Sequence, residues 1–319
     1  MIRTLARILA SATLVAALAP SAVLAQSDTI RFIVPIGPGS PFDAGARAMA
    51  ESLSKVSGRT VIVENKPGAG GRIATDYVAK AKPDGTVLLY TSAGHATNAG
   101  LFTNLPYDPI KDFTPITIIG KSTGFVLLVP ASSPYKTVQE LIAAAKAKPG
   151  TLSYGSFGNG NTTHVVAAMF ARAAGLDLIH VPHQSPVNDL MGGHLNMLFM
   201  GSSTVVPLLP SGKVRPLAIS SEERDPDFPG VPTFRELGMK DVDVPAWSGL
   251  LAPAGFPADK TQALFAQIAE AAKQPAFQEN LRISRGKLVL MPPQEFRKSL
   301  EAEVARFRKE LPELGIKGD

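Results

Sequence analysis

The chain has 319 residues, 45% hydrophobic and 18% charged, with a formal charge of +5, 28 Gly, 27 Pro and no Cys. That length and balance suit two domains with a core each and argue against disorder. Lacking Cys, the chain has no disulfide, thiol nucleophile or thiolate metal site, and lacking basic runs interleaved with aromatics it has no nucleic-acid footprint.

In chain order, residues 1–25 are expected to be a secretory leader. Arg3 and Arg7 supply a basic start, Ile8 to Ala19 an apolar stretch too short to span a bilayer, and Val-Leu-Ala the small residues before a cut after Ala25. No later apolar run reaches about 18 residues, so an exported, soluble chain is expected. Ile30 to Ile36 reads as a strand broken by Gly37, Pro38 and Gly39. Ser40-Pro41-Phe42-Asp43 then gives a helix cap, a proline at the first helical position and an acid three residues after the cap. Asp43 is read mainly as a capping acid, with ligand contact as the other role.

A second strand, Thr60 to Glu64, leads into Pro67-Gly-Ala-Gly-Gly71 and a helix near Arg72 to Lys82. The glycines do not make a dinucleotide loop, because Ile73 occupies the sixth position and no acid follows the next strand. That strand, Val87 to Tyr90, runs on through Thr91 and Ser92 into a stretch read as a polar loop containing His95. Strands at Ile116 to Gly120 and Phe125 to Pro130 follow a Pro-rich connector, the second carrying the chain toward another domain. Thr137 with Glu140 forms a capping box for a helix over Leu141 to Lys148.

The richest stretch is Thr151 to Gly175, where a short β-run opens through a Gly, Ser and Asn loop into an apolar helix ending at Gly175. Ser156 to Thr163 carries three hydroxyls, two Asn, two Gly and no charge. A helix N-terminus has unsatisfied N–H groups and a partial charge of roughly +0.5, so this loop suits a carboxylate or phosphate. Simple capping by Asn161 or Thr162 is the plainer alternative. Further on, Leu178 to Val181, Leu195 to Met200, Val214 to Ser220 and Val244 to Pro253 read as strands, the last returning to the first domain. Helical runs around Leu288 to Met291 close the chain, with Phe296, Leu300, Val304, Phe307 and Leu311 on one face. Such alternation predicts α/β architecture with mostly parallel sheets and helices on both faces.

His180 and His183 stand three apart, so on a strand they point to opposite faces; no metal site is expected. Ser156 resembles half of a nucleophile elbow, but Tyr154 fills the place of its first glycine. A secreted serine hydrolase using Ser156 is therefore the alternative reading of the chain.

The segments IRFIVPIGPG…D, VIVENKPGAGG, KPDGTVLLYTS…H, LPYDPIKDFTPIT, SYGSFGNG…TH, DLMGGHLNMLF, VRPLAIS and SGLLAPAG occur in this order. Together they resemble the extracytoplasmic solute-binding proteins of tripartite tricarboxylate transporters, the Bug family, over nearly the whole chain after the leader. The resemblance implies a type II periplasmic-binding-protein fold of two doubly wound α/β domains joined by crossover strands. Domain I would comprise 26–127 and 245–319, and domain II 128–244. It implies capture of a small organic carboxylate without catalysis or cofactor, by a periplasmic monomer that serves inner-membrane transporter subunits or a sensor. Carried over by motif, the first ligand loop is Gly37, Pro38, Gly39, Ser40 and Phe42, and the second is Thr91, Ser92 and His95. The carboxylate cradle is Ser156, Gly158, Asn159, Gly160, Asn161, Thr162 and Thr163, and Asp189 is the acid of the last motif. Three departures concern ligand choice: Ser40, Pro41 and Phe42 replace glycines, the segment from Pro182 to Asp189 is shorter with His183-Gln184 in it, and Met200 and Gly201 stand where an acid or amide is frequent. The shortening makes His183 and Asn188 further lining candidates.

Overall fold

Apolar runs separated by caps and turns lay down alternating strands and helices in two units. The computed structural model describes residues 29–313 and 316–317, so the expected leader and its cut after Ala25 lie outside the described residues. The first unit holds β1 (Thr29–Val34), α1 (Pro41–Ser57), β2 (Thr60–Asn65), α2 (Arg72–Ala79), β3 (Val87–Ser92), α3 (Gly94–Leu101) and β4 (Phe113–Lys121). The chain then crosses into β5 (Phe125–Pro130), α4 (Val138–Ala147), β6 (Ser153–Ser156), α5 (Thr162–Ala174), β7 (Ile179–Pro182), α6 (Pro186–Met191), β8 (Met197–Gly201), α7 (Ser202–Val205) and β9 (Val214–Ile219). It returns through β10 (Trp247–Pro253) to α8 (Ala258–Ala271), α9 (Pro275–Ser284), β11 (Lys287–Met291) and α10 (Pro293–Glu313).

The strands form a six-stranded sheet, β11-β4-β10-β3-β1-β2, and a five-stranded sheet, β7-β6-β8-β5-β9. Each is more mixed than the expected parallel pattern. β1 pairs in parallel with β2 and β3, and β6 with β7 and β8. β10 and β5, however, run antiparallel to both of their neighbours. The crossings supply the reason: each of these strands arrives from the other unit and so enters its sheet at the end where the neighbours leave.

Local chemistry fixes the helix ends. Ser40 Oγ accepts from Asp43 N at 3.1 Å, Pro41 opens α1, and Gly58 closes it in the left-handed conformation at φ 69°. Thr137 Oγ1 caps α4 by accepting from Glu140 N, but Glu140 Oε2 reaches back to Lys136 N at 2.6 Å, one residue earlier than a capping box requires. The stretch read as a polar loop around His95 is helix α3. Its polar side chains are buried: His95 Nε2 bonds Pro109 O at 2.8 Å and Asn98 Nδ2 donates to Gly70 O at 3.2 Å, while His95 Nδ1 and Asn98 Oδ1 are left without a partner.

One apolar cluster runs through both units, from Phe113, Phe296 and Phe307 to Phe170, Phe199 and Phe234, with Trp247 and Phe125 also in it. Each such side chain contributes about 1.5–3 kcal/mol on full burial. Smaller clusters cover the outer faces, one between α1, α8 and α9, the other beneath α6 and α7.

The units also meet backbone to backbone. A Cβ on Gly70, at φ 64°, would lie 1.9 Å from Asn159 O, and one on Gly160, at φ 85°, would lie 2.4 Å from Phe102 Cε2. Thr97 Oγ1 donates across the same boundary to Gly160 O at 3.3 Å. Neither glycine tolerates a side chain without moving a unit or a loop. Gly70→Ala is accordingly expected to part the units while leaving each folded. Small-angle X-ray scattering should show a larger radius of gyration with an unchanged far-UV circular dichroism spectrum; an unchanged radius would contradict this docking.

Candidate functional site

β1, β3 and β6 end at the boundary between the units and hand over to α1, α3 and α5. Residues from the starts of α1 and α5 line one cavity of about 140 Å³ there. Gly94 begins α3, and a Cβ on it would come within 3.2 Å of Thr162 Oγ1. The N-termini of helices from opposite units thus converge, each bringing partial positive charge. This is the arrangement that open α/β folds use for anions at the carboxyl ends of strands.

The cradle is built by its own polar groups. Asn161 Oδ1 accepts from Thr163 N at 3.1 Å and Thr163 Oγ1 at 2.9 Å, while Phe157 N donates to Thr163 Oγ1 at 3.2 Å. Of these groups Thr162 Oγ1 is left over, buried and without a hydrogen-bond partner, on a residue that lines the cavity. Leaving a buried hydroxyl unpaired costs on the order of 1–3 kcal/mol. Among the described residues no Asp or Glu lines the cavity, whereas Lys121 and Lys287 do.

Of the residues singled out in the sequence, Ser40, Phe42, Ser92, Asn161, Thr162 and Thr163 come together around this cavity. The others take other places. Gly37 packs toward Gln184 O of the second unit, and Gly39 N donates to Asp43 Oδ2 at 3.0 Å, with Pro38 between them and outside the lining. Thr91 and His95 are buried in the first unit, away from the cavity. Gly158, Asn159 and Gly160 form the turn that docks on Gly70 and Phe102. Asp189 lies outside the lining, its Oδ2 paired at 2.5 Å with His183 Nδ1, and Asn188 and His183 do not line the cavity either. Met200 and Gly201 do line it. Asp43 is structural: burial opposes its charge, yet bonds from Arg47, Asn65 and Gly39 N hold its carboxyl below the usual range.

Ser156 Oγ bonds His180 Nε2 at 2.6 Å and accepts from Gly158 N at 3.1 Å. The serine is fully buried, lies outside the cavity lining, and no Asp or Glu bonds His180 among the described residues. Nothing in this geometry supports Ser156 as a hydrolytic nucleophile. Its hydroxyl shapes the loop, and His180 stacks in turn on His164 at 4.2 Å and on Tyr154 at 4.8 Å between ring centroids. Among the described residues no cluster of His, Asp or Glu fits a metal ion.

Sequence reasoning missed one wall. Phe125, Phe157, Trp247 and Phe277 give the cavity an aromatic surface, and Ser122, Ser203 and Asn280 add polar groups. The available signal was position: residues beside the two crossings, around 121–125 and 245–248, necessarily sit where the units face each other.

Comparisons with known proteins give the family and the fold. The family described as "Tripartite tricarboxylate transporter family receptor" matches residues 45–316. A Cupriavidus necator protein described as "UPF0065 protein in gbd 5'region" is 34% identical over 317 residues, covering 97% of this chain and 95% of its own. Among solved structures, the periplasmic binding protein BugD superposes with a TM-score of 0.86 at 29% identity, over 91% of this chain and 98% of its own. MatC from Rhodopseudomonas palustris with bound malate gives 0.84 at 30%, over 88% and 97%. A second R. palustris protein, solved with adipate, gives 0.83 at 30%, over 91% and 98%.

The histidine stack makes one outcome measurable. Burial lowers His180 to about 4, and burial together with the neighbouring His180 lowers His164 to about 4, from an ordinary 6.5. The unfolded chain therefore takes up protons first as pH falls, so stability is held above 6.5 and lost on the way down to about 4. Thermal midpoints across that window should fall less steeply in His180→Gln than in the wild type; equal slopes would contradict the assignment.

Proposed function

The chain belongs to the tripartite tricarboxylate transporter receptor family, and on that footing we propose that it captures a small organic carboxylate in the cavity between its units. The observation that carries this reading is the buried, unpartnered Thr162 Oγ1 at the start of α5, facing the start of α3. A carboxylate oxygen placed there accepts from that hydroxyl and from Thr162 N, the first-turn N–H of α5 that the Asn161 cap does not use, and its charge meets the positive ends of the helix dipoles. Ser40 and Ser92 offer further hydroxyls, Asn161 and Thr163 hold the cradle's shape, and Phe42 forms part of the wall. Gly37, Pro38 and Gly39 position the first loop, and Gly158, Asn159 and Gly160 position the second against the other unit. Thr91, His95, Ser156 and Asp189 act through the scaffold rather than on ligand.

In this proposal 26–127 with 245–319 and 128–244 move as two bodies about their crossings, closing over the ligand. Residues 1–25 are the leader, cut after Ala25, and the protein works in the periplasm as a monomer. No helix among the described residues is long and apolar enough to cross a membrane. The transporter's inner-membrane subunits, or a sensor, read the closed form, and the ligand leaves chemically unchanged. Solved relatives with malate and adipate support the carboxylate class.

Titration calorimetry against a panel of carboxylates tests this. The loss of one hydrogen bond to a charged group costs about 1.5–3 kcal/mol, so Thr162→Ala should bind its best acid about 10–100-fold more weakly, and Thr162→Ser should retain affinity. Unchanged affinity in Thr162→Ala would remove the cradle from the account.

A further inference from the structure

Proceeding from the carboxylate reading above, we infer that Asn280, Tyr90 and Ser248 form a neutral hydrogen-bonding subsite on the α9 side of the cavity, so that the ligand is a monocarboxylate whose far end carries an uncharged donor such as a hydroxyl. All three residues line the cavity. Gly45 of α1 brings two of them together: a Cβ there would lie 3.3 Å from Tyr90 Oη and 3.7 Å from Asn280 Oδ1. Burial pushes the Tyr90 phenol up to about 12 against a hydrogen bond with Ser248, so the phenol stays protonated. The Asn280 side chain has no hydrogen-bond partner among the described residues.

The two ends of the cavity differ in polarity. Thr162 Oγ1 and Ser92 Oγ come within 3.2 and 3.6 Å of a Cβ on Gly94, which marks the carboxylate end. Tyr90 lies two residues before Ser92 on the same face of β3, about 7 Å back along the strand. Ser248 is the register partner of Ser92 on β10. Neutral hydroxyls therefore continue from the cradle toward Asn280. The cradle is met by helix N-termini, whereas Asn280 stands near the other end of its helix. The last turn of α9 gives Leu281 and Ser284 to the wall, and Arg285 then stops the helix at φ 51°. A helix C-terminus presents carbonyls and partial negative charge, which attract a donor and repel a second carboxylate.

An ammonium at this end is excluded on other grounds. Among the described residues no acid lines the cavity to pair with it, and an unpaired charge is costly to enclose. Lys121 and Lys287 are exposed residues, so their charges are screened by solvent and make no pole inside. An uncharged group meets what is left, because the Asn280 amide both accepts from a hydroxyl and donates to it. Between the ends the wall is apolar: Phe42 meets Tyr90 edge to face at 5.0 Å between ring centroids, and Phe157 and Trp247 extend the surface. The volume of about 140 Å³ is close to that of an apolar cavity that holds benzene, roughly 150 Å³.

Calorimetry with matched probes tests the subsite. 4-Hydroxybenzoate is compared with benzoate, benzene-1,4-dicarboxylate and 4-(aminomethyl)benzoate, and 6-hydroxyhexanoate with hexanoate and hexanedioate. In at least one series the wild type should bind the hydroxy acid about 3–10-fold more tightly than the parent monoacid, the worth of one neutral hydrogen bond. The diacid should bind no more tightly than the parent. Asn280→Leu should bind hydroxy acid and parent alike. Asn280→Asp, which sets a carboxylate at the same place, should gain about 10-fold for 4-(aminomethyl)benzoate relative to benzoate, and it decides the matter should Asn280→Leu bind neither acid. Equal binding of hydroxy acid and parent by the wild type in both series, tighter binding of a diacid, a preference that survives in Asn280→Leu, or no gain in Asn280→Asp would overturn the subsite alone. Failure of the wild type to bind any of these acids would instead count against the carboxylate reading itself.

Discussion

The structure depends on one close approach, the turn Gly158 to Gly160 lying against Gly70 and Phe102 of the other unit. Because Gly70 meets Asn159 backbone to backbone, with no side chain interposed, the approach brings the first turn of α5 up to the first turn of α3. Two partial positive charges then face each other across the boundary between the units, an arrangement that by itself is repulsive. An anion between them reverses the sign of the interaction. In the proposed function closure and ligand binding are in that sense one event, with the unpartnered Thr162 hydroxyl as its local mark.

The polar residues of the cradle divide into two kinds of work. Most are consumed in holding the loop: Asn161 and Thr163 bond each other, and Ser156 bonds His180 and Gly158 N. The histidines behind them are kept neutral by burial, so the cradle rests on an uncharged stack beneath the partial positive charge of the helix end. The residues that reach the cavity are correspondingly few. A loop whose own bonds are satisfied presents its remaining donors in fixed directions, and little ordering is left to be done when ligand arrives.

Much of this was legible from sequence because it is local. Ser40 and Pro41 announce α1, Asn161 and Gly175 bound α5, and the motif order identifies the fold. What was not legible depends on partners distant in the chain. His95, Thr97 and Asn98 look like loop residues, since helices seldom carry such polarity, yet each is taken up by a contact with Pro109, Gly160 or Gly70. Asp189 was placed at the ligand by its motif, whereas the structure turns it to His183. The aromatic wall escaped notice for the same reason: Trp247 and Phe125 become neighbours only when both crossings are made.

A crystal structure of the protein with a bound carboxylate tests the central claim most directly. The account predicts a carboxylate oxygen within hydrogen-bond distance of Thr162 Oγ1 and of a first-turn N–H of α5, with the Gly70 to Asn159 contact intact. A ligand seated elsewhere, or one held at the cavity with Thr162 Oγ1 still unpartnered, would contradict it.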